Sequence, residues 1–82
     1  MMKIIKNFGI RNGYNETHLA FIIRAKYRRR GGVTLDIFTE ATLDSGGIRN
    51  ICLREDGTND TLTLNNLVLE HELYELILNQ IS

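Results

Sequence analysis

Two stretches, THLAFIIRAKY and GVTLDIFTEAT, carry apolar residues at every second position, and after residue 65 the spacing changes to that of a helix. A period of two places alternate side chains on opposite sides of a strand, so both stretches read as strands with one apolar face each. Leu19, Phe21, Ile23, Ala25 and Tyr27 form that face in the first, and Val33, Leu35, Ile37, Thr39 and Ala41 in the second. Only an antiparallel pairing that keeps the two apolar sets on one side is compatible with a shared core. A three-residue loop, Arg30-Gly31-Gly32, satisfies this by setting Tyr27 opposite Leu35 and Ala25 opposite Ile37. The same test on TLDSGGIRNICLR selects Asp44-Ser45-Gly46 as a loop and sets Thr39 opposite Ile51 and Ile37 opposite Leu53.

The opposite face of this meander is charged. In the expected register Asp36 lies between Lys26 and Arg54, Phe38 between Arg24 and Cys52, and Glu40 between Ile22 and Asn50. Arg28, Arg29 and Arg30 stand at the hairpin tip without acidic neighbours. Upstream, MMKIIKNF reads as a short strand joined through the Asn12-Gly13 turn region, and downstream Asp56-Gly57 is a turn dipeptide before TLTL. LVLEHELYELILNQIS then contains only good or neutral helix formers, with Asn65 or Asn66 as N-cap.

The architecture expected is therefore α+β, one domain over residues 1–82. A four- or five-stranded antiparallel β-meander has strands at about 2–8, 17–29, 33–42 and 47–54, with a possible fifth at 61–64. One C-terminal α-helix at about 66–81 packs on the face bearing Phe21, Ile23, Ile37, Ile51 and Leu53. On a helical wheel Asn65, Glu72, Glu75 and Asn79 form only a narrow polar strip, whereas a surface helix needs an apolar arc of little more than 100°. The excess predicts a homodimer or a docked protein through the helix, with Leu69, Leu73, Leu76 and Ile77 as the contact residues.

A formal net charge of zero hides a segregation: residues 1–30 hold eight of the ten Lys and Arg against Glu16 alone, and residues 31–82 hold nine acids against Arg49 and Arg54. Such asymmetry points to charged partners. Cys52, the single cysteine, allows no internal disulfide, and MMKIIKNFGI has too short an apolar run for a signal peptide. A cytoplasmic location without membrane insertion is the expectation.

Catalytic groups are sparse. Cys52 reads as a packing residue, and Glu70, His71 and Glu72 diverge by about 100° each on a helix, so they do not converge on one atom. The two histidines and one cysteine show no zinc-type spacing, and neither Gly-Gly pair opens a helix as a phosphate loop does. No enzyme activity, cofactor or metal is expected. The leading expectation is a small non-enzymatic protein-interaction module, by analogy an inhibitor or adaptor of phage or mobile-element type acting on a larger nucleic-acid-processing assembly. The alternative is a nucleic-acid-binding protein that grips phosphates with Arg24, Lys26, Arg28, Arg29 and Arg30. What separates them is whether Glu70, Glu72 and Glu75 lie on the side away from that basic hairpin.

Overall fold

The computed structural model describes residues 2–27, 31–64 and 66–81. Its elements are β1 (Lys3–Gly13), β2 (Glu16–Tyr27), β3 (Val33–Asp44), β4 (Gly47–Glu55) and α1 (Leu67–Asn79). The strands form one antiparallel sheet in the order β1-β2-β3-β4, with α1 on one face, so the expected α+β meander is the fold. Phe21, Ile23, Ile37, Leu73 and Ile77 are fully buried at the centre of the core, and Leu19, Ala25, Leu35, Leu53 and Leu62 surround them. Burying a Leu, Ile or Phe side chain is worth about 1.5–3 kcal/mol, so these contacts carry the folding of so small a chain.

The pairings differ from expectation in two instructive ways. β2 and β3 slide by two residues, so that Ala25 faces Leu35, Ile23 faces Ile37 and Tyr27 faces Val33. Parity fixes a register only modulo two, and the slide keeps every apolar residue on its expected face. The link is thus residues 28–32, longer than a three-residue loop, and both Gly31 (φ 68°) and Gly32 (φ 79°) take the left-handed region that suits glycine.

Between β3 and β4 the turn is Ser45-Gly46, with Asp44 paired to Gly47. Asp44 Oδ1 accepts from Gly46 N at 2.7 Å and from Arg49 Nε at 3.1 Å, which anchors the turn. This start has the wrong parity for a shared core, and a bulge between Glu40 and Thr42 corrects it, with Asn50 opposite at φ 53°. Beyond the bulge Thr39 faces Leu53 and Ile37 faces Glu55, rather than Ile51 and Leu53.

β1 is longer than the expected short strand and turns at Tyr14-Asn15, with Asn15 at φ 60°, instead of at Asn12-Gly13. Two register shifts interrupt it, and Gly9 (φ 100°), whose N–H donates to Asn7 Oδ1 at 2.8 Å, lies in the second. The stretch at 61–64 makes one bridge, Thr61 to Arg54, and is not a fifth strand. It still seats Leu62 in the core, through a 2.9 Å hydrogen bond from Leu62 N to the Leu53 carbonyl. Asn66 is the N-cap, its Oδ1 accepting from Val68 N at 2.8 Å and Leu69 N at 3.3 Å.

Candidate nucleic-acid interface

Strand alternation sends every second side chain to the face away from α1. One register row on that face runs Lys6, Ile22, Phe38, Arg54 across all four strands. Ile22 is buried within it although no helix covers this side. Phe8, at the second irregularity of β1, reaches Phe38, with ring centroids 5.6 Å apart and planes inclined by 53°. Lys6 Nζ stands 5.0 Å from the Phe8 centroid and the Arg54 guanidinium carbon 4.4 Å from that of Phe38. Both are within the roughly 6 Å at which a ring face attracts a cation. Arg54 is held from behind as well, its Nη1 donating to the Thr58 carbonyl at 3.1 Å. The result is two aromatic rings bracketed by two cations, with Phe8 still 50% exposed.

The next row holds Lys3, Arg24 and Asp36. Arg24 Nε and Nη2 donate to Asp36 Oδ1 and Oδ2 at 2.8 and 3.2 Å, a two-pronged pair. These hydrogen bonds, aided by the guanidinium's charge, hold the Asp36 carboxyl below the usual carboxylate range. The same bonds and charge push Arg24 above its usual value. The expected neighbours thus change: Asp36 faces Arg24, Phe38 faces Ile22 and Arg54, and Glu40 faces Ala20 and Cys52. The slide of β2 against β3 and the bulge of β4 cause all three changes. Lys26 now faces Thr34 rather than a carboxylate, so cross-strand pairing does not neutralise it.

Arg24 and Lys26, two of the five basic residues expected to bind, therefore lie on the open face, while Arg28, Arg29 and Arg30 lie outside the described residues. The expected contact residues of the helix are placed differently. Leu73 and Ile77 are buried against the sheet and Leu69 and Leu76 pack on the edge of the core, because a helix seats its most apolar arc inward. The exposed apolar residues of the C-terminal segment are instead Leu67, Val68, Tyr74, Leu78 and Ile81.

Glu72 and Glu75 belong to α1, on the other side of the sheet from Lys6, Arg24, Lys26 and Arg54, whereas Glu70 lines a cleft at the β4 edge together with Arg54. Glu72 Oε2 accepts from Met2 N at 3.1 Å, and Glu75 Oε1 sits 2.9 Å from His71 Nε2 one turn away. Sequence reasoning missed Lys6 and Phe8 because the two irregularities of β1 break the alternation on which facing is judged. Phe38 did carry a signal, as an aromatic at a polar-face position.

Two other groupings bear on chemistry. His18 Nε2 lies 3.0 Å from Glu16 Oε1 and its Nδ1 3.3 Å from Thr42 Oγ1, the order of a carboxylate, imidazole and hydroxyl relay. Thr42 is buried, however, and its hydroxyl is spent on the imidazole, so the row acts as a lock between β2 and β3. Cys52 is exposed beside Glu40, two residues from Arg54 on the same strand face. Among the described residues no group of three or more His, Cys, Asp or Glu is placed to hold a metal ion, and no helix is long and apolar enough to cross a membrane. Comparison of the chain with protein-family models, with curated proteins and with solved structures finds no match.

Proposed function

We propose that this chain is a non-enzymatic single-stranded nucleic-acid-binding protein whose site is the open face of the sheet. The observation that carries the reading is the bracket of Lys6, Phe8, Phe38 and Arg54 on that face. Single strands present unstacked bases, and a sheet surface recognises them by stacking bases on aromatic rings or guanidinium planes while cations hold the phosphates. A duplex hides its base faces and has no use for such rings. Lys3, Lys6, Lys26 and Arg54 supply charge around the rings, and Arg24 neutralises Asp36, which leaves Glu40 as the exposed carboxylate two residues from Phe38 on this face. The placement of Glu72 and Glu75 on α1 supports the same reading, since a phosphate chain on the open face meets neither of them. It also answers the objection raised by a pI of about 6.7, because the local field and not the net charge governs a strand lying on one face.

The test is fluorescence anisotropy of labelled oligo(dT), oligo(U) and a duplex of equal length, at about 50 and about 200 mM salt. The reading expects salt-sensitive binding of the single strands, weaker binding of the duplex, and loss of affinity in Phe8→Ala. No single-strand binding at the lower salt refutes it. An interaction with a protein, the inhibitor or adaptor role, draws support from a different observation, the exposed apolar flank of α1.

A further inference from the structure

Glu40 stands on the open face with no cation opposite: it faces Ala20 on β2 and Cys52 on β4. It is exposed, and among the described residues no hydrogen bond or ion pair engages its carboxylate. An unpaired carboxylate repels phosphates, so on a face that binds a strand it is unfavourable unless it meets another part of that strand. Its surroundings offer such a part. β1 sets Asn7 opposite Phe21 and Ile10 opposite Leu19, so Phe8 and Gly9 both stand against Ala20, two residues against one. Neither Ala20 nor Gly9 has a side chain long enough to fill the row, and a Cβ at Gly9 meets nothing within 4 Å. The opening is a cleft of about 530 Å³ whose lining includes Phe8, Gly9, Arg11, His18, Ala20 and Glu40. That volume is within the roughly 300–1,000 Å³ of clefts that hold small ligands. Cations stand on both sides of this row, Lys6 in the row of Ile22 and Arg11 in the row of His18. A strand whose phosphates follow Lys6 and Arg11 places a base between them, its face on the half-exposed ring of Phe8 and its edge at Glu40.

We propose that this cleft takes a guanine base of a single strand and that Glu40 is the residue that selects it. The inference rests on the open face being the strand-binding site. An ionised carboxylate only accepts hydrogen bonds, and it presents two oxygens side by side. Guanine carries two adjacent donors on its Watson–Crick edge, N1–H and the 2-amino group, which match those oxygens. Adenine and cytosine each set one amino group beside a ring-nitrogen acceptor, and thymine or uracil sets one N–H between two carbonyls. Each of these brings an acceptor against the carboxylate, and like partial charges meet. A good two-pronged contact to a base edge discriminates by roughly 5- to 150-fold against the wrong base. Glu40 thereby supplies a preference among bases, which the rings of Phe8 and Phe38 do not, because every base has a face to stack.

The experiment is fluorescence anisotropy at about 50 mM salt with labelled dT hexamers that carry dG, deoxyinosine, dA, dC or dT at one central position, against wild type and Glu40→Gln. Deoxyinosine keeps N1–H and lacks the 2-amino group, so it tests the second prong alone. The wild type is expected to bind the dG hexamer tightest, by roughly 5- to 150-fold over dT, with deoxyinosine between them. In Glu40→Gln, an exposed substitution checked for folding by circular dichroism, the advantage of dG over dT is expected to fall below about twofold. Equal binding of the five hexamers by the wild type overturns the proposal and leaves the strand-binding reading standing. A preference for dA or dC does the same, as does a dG preference that persists in Glu40→Gln. No binding of any hexamer or of longer oligo(dT) refutes the strand-binding reading and the proposal together.

Discussion

Phe8→Ala separates stacking from charge at the proposed site. Phe8 is half exposed on an edge strand and meets Phe38 across 5.6 Å, so its removal sacrifices one tilted ring pair and a partly buried ring. Such a pair is worth about 0.5–1.5 kcal/mol, and for a domain of this size each kcal/mol shifts Tm by about 4–8 °C, so the variant stays folded at 25 °C. On the binding side a base stacked on an aromatic ring contributes about 1–3 kcal/mol, which converts to a Kd roughly 5- to 150-fold weaker. The slope of log Kd against log salt distinguishes the mechanism. Removing a ring removes no phosphate contact, so the slope is unchanged, whereas Lys6→Ala lowers its magnitude by about 0.7 if Lys6 neutralises one phosphate of a single strand. The assay is anisotropy with labelled oligo(dT) at four or more salt concentrations, with circular dichroism as the check of folding. A folded Phe8→Ala that binds within twofold of wild type, or one that loses affinity only by flattening the salt slope, refutes stacking at this face.

Further expectations concern the scaffold. Leu73→Ala, which empties a buried position between α1 and the sheet, is expected to cost about 2–5 kcal/mol by urea or thermal unfolding. Asn66→Ala removes the cap of α1 and is expected to cost about 1 kcal/mol, read as a fall in Tm of about 4–8 °C. Asp36 is held below the usual carboxylate range, so its pairing with Arg24 stabilises the protein above the unfolded-state pKa of about 3.9 and is lost as pH falls through the lower folded value. The Tm difference between wild type and Asp36→Asn is therefore expected to be constant from neutral pH down to about 5 and to vanish in stronger acid; a difference that grows on acidification contradicts the pairing.

The fold was legible because its information is periodic. Alternation in β2 and β3 named both faces, and a register error of two residues left every facing unchanged, so the core came out right although no expected partner in that pair did. Neighbours across strands are the opposite case, since sliding by two residues replaces all of them: Asp36 exchanges Lys26 for Arg24, and Lys26 is left beside Thr34. What fixes those neighbours is loop length and bulge position. Both depend on single backbone conformations such as Asn50 at φ 53° and Gly9 at φ 100°, which leave little trace in hydropathy. The candidate site was therefore read in part, through Arg24 and Lys26, while its aromatic half lay hidden in the irregular strand β1.

The helix illustrates a different limit. Its apolar arc correctly indicated more surface than one sheet needs, but a wheel has no origin until the neighbouring layer is known. Leu69, Leu73, Leu76 and Ile77 define the arc's centre and were natural candidates for a partner, yet the same centrality makes them the first residues the chain buries in itself. A partner meets what is left at the margin, and the side of the margin is set by where the chain enters and leaves the helix. Glu72 bonds to Met2 and Gln80 to Asn7, so one flank of α1 runs beside β1, while Tyr74 on the other borders a cleft with Ile51, Leu53 and Leu64. The packing of α1 thus leaves two kinds of surface. One is the exposed apolar margin of Leu67, Tyr74, Leu78 and Ile81 beside the helix, and the other is the charged aromatic face on the reverse, to which the proposed function assigns a strand of phosphates and bases.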